Sequence, residues 1–218
     1  MPAFIRLSIV CFFAIFLLVT SGCAAANNNQ TILIIGDSLS AGYGIDEEQS
    51  WVVLLQDRLN NEGYGYRVIN ASISGDTTGG GLRRLPRALK QHEPGVVVIE
   101  LGGNDGLRGT PIHVIRGNLG SMIELAQDTG ARVILAGMQM PPNYGAAYTG
   151  DFSRMYPELA QDYDASLVRF FMQDVALNPN LMQPDRIHPN ADGQSILLDN
   201  VWPVLEMLLQ TTLAASDK

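Results

Sequence analysis

The sequence predicts an α/β domain: a parallel β-sheet with helices on both faces. Three observations carry this. The chain has 218 residues, enough for one domain and short for two. Its composition, 46% hydrophobic and 17% charged, supports a core of ordinary size. Short apolar runs alternate with helical patterns, and the runs are nearly uniform rather than alternating, as suits strands covered on both faces.

The first residues form a separate object. Arg6 precedes an apolar run over Leu7–Val19, and small residues follow. A membrane-spanning helix needs about 20 apolar residues, so this run is short for one. A basic start, apolar middle and small-residue end have the layout of a secretory signal. Ala24-Ala25-Ala26 fits a cleavage site, which divides the chain into a signal peptide over 1–26 and a domain over 27–218. Thr20-Ser21-Gly22-Cys23 resembles a lipobox, with Thr20 where leucine is usual; used that way, it would end the signal before Cys23 and lipidate that residue. The expected location is the periplasm, with a membrane-anchored lipoprotein as the alternative. Both cysteines, Cys11 and Cys23, lie in this leader. The domain therefore has no disulfide, cysteine nucleophile or cysteine-based zinc site.

The elements follow in order after the polar tether Asn27–Gln30. Strands are expected at Thr31–Ile35, Tyr66–Asn70, Val96–Leu101 and Arg132–Ala136, with a weaker fifth at Ser166–Phe171. Trp51, Val52, Leu55 and Leu59 share one helical face, and Gly63 stops it. Leu82, Leu85 and Leu89 share another. Thr110-Pro111 reads as an N-cap followed by proline at the first helical position. Ile112, Ile115, Leu119, Met122 and Ala126 then recur at helical spacing until Gly130. A last helix carries Leu197, Val201, Leu205 and Leu208, with Pro203 expected to kink it.

The formal net charge of −8 argues against a nucleic-acid partner and against electrostatic adsorption to anionic lipid. It leaves a lipid or other amphiphilic substrate open.

In parallel sheets, ligands bind at the carboxyl ends of strands. Gly36-Asp37-Ser38-Leu39-Ser40 follows the first strand, Ala71–Asp76 the second and Gly102–Gly106 the third. A serine nucleophile needs a base. Of the three histidines, His92 reads as a helix-terminal cation and His113 as a solvated residue off an apolar stripe. His188 lies in a loop between Pro184 and Pro189, three residues after Asp185. That spacing lets Asp185 hold one ring nitrogen while the other faces a hydroxyl. Taken singly, Ser38 reads equally as a capping serine and His188 as a loop residue. Taken with Gly75 and Asn104, they gather at one sheet edge. Asn104 could offer a side-chain amide to an oxyanion, and Gly75 and Ser38 their backbone N–H groups.

Ser40 stands where a G-x-S-x-G elbow would have glycine, so the ordinary α/β-hydrolase signature is missing. Thr78-Gly79-Gly80-Gly81 lacks the lysine and spacing of a phosphate loop and reads as a flexible loop before a helix. No metal-ligating motif is seen, so no metal or cofactor is expected.

The blocks Gly36-Asp-Ser-Leu39, Gly75, Gly102-Gly-Asn-Asp105 and Asp185-x-x-His188 resemble those of the SGNH/GDSL hydrolase superfamily. The stretches Gly36–Tyr43, Asn70–Thr77, Glu100–Gly109, Pro142–Gly145 and Ile187–Asn190 are similar to the bacterial periplasmic thioesterase I, lysophospholipase and arylesterase group. The resemblance spans residues 31–210 and implies a flavodoxin-like three-layer α/β/α fold of about five parallel strands. It implies Ser38 as nucleophile and oxyanion donor, Gly75 and Asn104 as further donors, His188 as base and Asp185 as its orienting acid. The implied substrates are acyl-CoA thioesters, lysophospholipids and simple esters. By the same resemblance, the loop from Leu107 to Pro111 covers the acyl chain, although Thr110-Pro111 stands where close relatives would carry a larger apolar residue. Met138, Met140, Pro141 and Tyr144 follow the fourth strand and could line that site or simply pack there. Two rival readings remain: a carbohydrate O-deacetylase using the same residues, and a non-catalytic lipid-binding module.

Overall fold

The computed structural model describes residues 30–216, with side chains over 30–211. The expectations for the leader, Cys23 included, lie outside the described residues.

Five strands form one all-parallel sheet in the order β2-β1-β3-β4-β5. They are β1 (Thr31–Gly36), β2 (Arg67–Asn70), β3 (Val96–Glu100), β4 (Arg132–Ala136) and β5 (Ser166–Val168). The central strands β1 and β3 are buried along their whole length, which is why their sequences are apolar without alternation. Six helices connect or follow them: α1 (Trp51–Asn61), α2 (Thr78–His92), α3 (Gly103–Leu107), α4 (Ile112–Asp128), α5 (Ala146–Asp162) and α6 (Ala191–Ser216). Helix α1 packs on α6, while α2, α4 and α5 pack in series. This gives the expected three layers. Strand order reverses between β1 and β3, and ligands of such sheets bind beyond the carboxyl ends of the strands at that point.

Several local expectations are corrected. Thr78–Gly81 is not a loop but the first turn of α2, started by the Thr77 side chain, which accepts the Gly80 N–H at 3.2 Å. The glycines there permit close packing: a Cβ on Gly81 would lie 2.3 Å from Leu101 Cδ1. Helix α4 starts at Ile112 with Pro111 as its N-cap, one position later than the Thr110-Pro111 reading placed it. The Thr110 carbonyl instead accepts the Tyr148 hydroxyl at 2.8 Å. Strand β2 begins at Arg67 rather than Tyr66, and β3 ends at Glu100 rather than Leu101. Strand β5 stops at Val168, because Phe171 N–H turns back to the Gly137 carbonyl at 2.8 Å. Pro203 lies inside α6, as the sequence places it.

Candidate active site

Strand β1 delivers its last residues to the open edge of the sheet, and the chain then coils tightly. Ala41 N–H donates to the Asp37 carbonyl at 2.9 Å and Tyr43 N–H to the Ser38 carbonyl at 3.1 Å. The turn leaves Ser38 8% exposed, with its Oγ 2.8 Å from His188 Nε2. Residues 150 positions apart in sequence thus meet at hydrogen-bond distance.

His188 is held on a loop closed by an antiparallel bridge between Met182 and Pro189. Gln183 N–H donates to the His188 carbonyl at 2.8 Å, and the Gln183 amide donates to the carbonyls of Tyr43 and Pro189. The His188 loop and the Ser38 turn are therefore tied together. Asp185 Oδ2 lies 2.7 Å from His188 Nδ1, while its Oδ1 accepts the N–H groups of Ile187 and His188 at 2.9 and 3.1 Å. The hydrogen bond from His188, helped by the Ile187 N–H, lowers the Asp185 carboxyl to about 2. An ionised Asp185 fixes the imidazole proton on Nδ1 and leaves Nε2 to accept the Ser38 hydroxyl. The Tyr43 ring lies against His188, centroids 4.5 Å apart and tilted by 40°.

The donors expected around an oxyanion come from three elements. Gly75 sits at φ +80°, a left-handed conformation that glycine adopts freely. It lies on an exposed turn where Asp76 N–H donates to the Ile73 carbonyl at 3.0 Å. Neither Gly75 N–H nor Ser38 N–H has an acceptor among the described residues. Asn104 enters from α3, and its Nδ2 donates one hydrogen to Asp37 Oδ2 at 2.9 Å. An amide nitrogen has two hydrogens, so one remains for a ligand.

Beneath the serine lie two carboxyl groups. Asp37 is 2% exposed, and burial raises its carboxyl to about 6 against the opposing Leu39 N–H and Asn104 amide. Glu100 is fully buried and is pushed well above the usual range by burial and then by Asp37. Its Oε2 accepts the Ser40 hydroxyl at 2.7 Å and the Asp37 N–H at 3.3 Å. Asp105 accepts the Thr78 N–H and hydroxyl, both at 2.8 Å, and so fixes α3 to the start of α2.

Of the residues expected to bind substrate, Leu107 and Tyr144 come together: the Tyr144 hydroxyl donates to the Leu107 carbonyl at 3.1 Å. Pro141 is exposed and caps the short turn containing Tyr144. His92 ends α2, as a helix-terminal cation would, and His113 is exposed in the first turn of α4, as a solvated residue would be. Sequence reasoning gave no role to Tyr43, Arg84 or Glu100. Tyr43 had one usable signal, a large aromatic five residues after the serine in a glycine-flanked turn. Arg84 had none.

Residues 34–196 match the model of the GDSL-like lipase/acylhydrolase family. The chain belongs to that family. This GDSL hydrolase is 53% identical to esterase TesA of Pseudomonas aeruginosa over 83% of its own length and 90% of the relative's. It is 44% identical to thioesterase 1/protease 1/lysophospholipase L1 of Escherichia coli K12, over 90% of its own length and 92% of the relative's. The crystal structure of the psychrotrophic esterase EstA from Pseudoalteromonas sp., inhibited by monoethylphosphonate, matches with a TM-score of 0.80 at 44% identity. That match covers 83% of the GDSL hydrolase and 99% of EstA. The fold, the family resemblance and the enzyme class expected from sequence all hold.

Proposed function

We propose that this enzyme hydrolyses carboxylic esters and thioesters through an acyl group carried on Ser38. The observation that carries the reading is the unbroken row Ser38 Oγ–His188 Nε2 at 2.8 Å and His188 Nδ1–Asp185 at 2.7 Å. Ser38 Oγ attacks the acyl carbon while its proton passes to His188 Nε2. Asp185 stabilises the imidazolium that forms. The negative oxygen takes hydrogen bonds from Ser38 N–H, Gly75 N–H and the second amide hydrogen of Asn104. As the C–O or C–S bond breaks, His188 gives its proton to the leaving alcohol or thiol. Water then attacks the acyl-serine and loses a proton to His188. Ser38 recovers that proton as the acid departs. Each group needed belongs to the chain.

Side chains at the rim favour an acyl substrate over a sugar acetate. Tyr43, Ile73, Leu107 and Ile187 are all large, apolar and at least 36% exposed; Leu107 ends α3, and the other three lie outside the helices and strands. The relatives named as esterase and as thioesterase and lysophospholipase point the same way. Leu107, Pro141 and Tyr144 are assigned to the acyl-chain side.

The test is hydrolysis of p-nitrophenyl esters from acetyl to palmitoyl, and of acyl-CoA, by the wild type and Ser38→Ala. The wild type should cleave chains longer than acetyl, and the variant should lose turnover on all of them. Activity confined to acetyl would move the assignment to an O-deacetylase. Turnover that survives in Ser38→Ala would sink the serine mechanism.

The leader assigns the enzyme to export and the periplasm, as a signal over 1–26 and a domain over 27–218. No helix among the described residues is long and apolar enough to cross a membrane. The mass of the mature protein should correspond to a start at Asn27. A mass carrying lipid on Cys23 would replace this with an anchored lipoprotein.

A further inference from the structure

Helix α2 sends one side chain back toward the open edge of the sheet. Arg84 Nε donates to Asp76 Oδ2 at 2.7 Å, Nη1 to the Ala71 carbonyl and Nη2 to the Gly36 carbonyl at 3.1 Å. These acceptors, one carboxylate and two backbone carbonyls, belong to two different stretches of chain. Gly36 ends β1, two residues before Ser38. Ala71 and Asp76 bracket the loop that carries Gly75. The side chains of Arg84 and Asp76 are 21% and 12% exposed, so the clamp is largely shielded from water.

The loop needs such a clamp. The β1–β2 ladder continues past Asn70 only as far as two bonds, Ala71 N–H to the Ile34 carbonyl and Ile73 N–H to the Gly36 carbonyl. Beyond Ile73 the chain turns out into solvent, and its remaining ties are the Asp76–Ile73 turn and the Arg108 guanidinium on the Gly75 carbonyl. Asp76 is itself fixed, because its Oδ1 accepts the Thr77 N–H at 2.9 Å. A Cβ on Gly80 would fall 1.7 Å from that same Oδ1, so the bare backbone of α2 is what leaves room for the carboxylate.

We infer that Arg84 is a positioning residue, one that sets the Gly75 N–H at a fixed distance from the nucleophile by bolting its loop to the end of β1. This rests on the reading of Gly75 as an oxyanion donor. Such a donor accelerates the reaction only when it is already aimed before the charge develops, and a misplacement of about 1 Å can cost about 10²-fold. The planar guanidinium reaches all three acceptors at once. A lysine ammonium on a flexible stem cannot reproduce that fork.

The test uses Arg84→Lys and Arg84→Met in the full chain, assayed on p-nitrophenyl butyrate well below their melting temperatures. Both should lose kcat by roughly 10- to 100-fold, with KM within about twofold of wild type. The pH dependence of kcat/KM should keep its midpoint, because Arg84 touches none of Ser38, His188 and Asp185. Asp76→Asn, which leaves the two carbonyl anchors intact, should lose less than either. A folded Arg84 variant with wild-type kcat would overturn the inference, as would a loss confined to KM. Failure of both Arg84 variants to fold would assign the guanidinium to the fold instead, and would overturn it too. Ser38→Ala, run alongside, separates the layers: if it is inactive while the Arg84 variants are fully active, only the clamp is lost. If it is active, the serine reading falls with it.

Discussion

Asp37 and Asp185 are both acids beside the same serine–histidine pair, and their surroundings drive them apart. Asp185 is solvated and hydrogen-bonded as a carboxylate, and its carboxyl falls to about 2. Asp37 is buried, and its carboxyl rises to about 6 from 3.8. The folded chain therefore holds the Asp37 proton more tightly than the unfolded chain does. Between pH 4 and 6 the unfolded state gives up that proton first, so the Asp37 contribution to stability declines as pH rises through the window. Asp185 acts with the opposite sign: its contribution is present above pH 4 and is lost only as pH falls toward 2. Urea denaturation of wild type and Asp37→Asn at pH 4, 5, 6 and 7 should show a steeper fall in stability with pH for the wild type. Parallel curves would assign no such cost to Asp37. At this scale the sequence was legible where chemistry forces spacing. Asp185 lies three residues from His188 because a loop that short turns the carboxylate onto the ring. Arg84 and Glu100 were illegible because what they do depends on burial and on partners far away in the chain: Glu100 meets Ser40 across 60 residues, and Arg84 meets Gly36 across 48.

Helices show the same division. Helices α1, α2, α4 and α6 are legible as apolar stripes, α1 and α4 with a glycine stop as well, and all four are present. Helix α5 was not read, although Phe152, Met155, Tyr156 and Leu159 are buried at spacings of three, four and seven. Gly150 and Pro157 interrupt that pattern, and both weigh against helix on propensity alone; packing on α4 outweighs them. The glycine run at the start of α2 misled in the same way, since flexibility in isolation is close packing in the fold. One joint between helices carries a testable load. Gln194 of α6 is 2% exposed, and its Oε1 accepts the Trp51 N–H at 3.0 Å, the first N–H of α1. Gln194→Ala would leave that buried donor without a partner, which costs about 1–3 kcal/mol. Urea denaturation should register a loss of that size. A change below about 0.5 kcal/mol would show that the end of α1 finds another acceptor.

For the molecule as a whole, the sheet was the most legible feature, because five apolar runs separated by helical lengths leave few topologies open. The order β2-β1-β3-β4-β5 puts every functional loop on one edge. Strand ends and the length of β5 were less legible, since they depend on where the neighbouring strand stops. The same topology spreads the proposed reacting groups across the chain: Ser38 follows the first strand, while His188, its proposed base, lies 150 residues downstream on a loop outside the sheet. On that reading, synthesis finishes the nucleophile early and the enzyme late. A chain still on the ribosome before Asp185 has a serine without that histidine to take its proton. Until the last loop is made, it has no means of attacking an acyl ester.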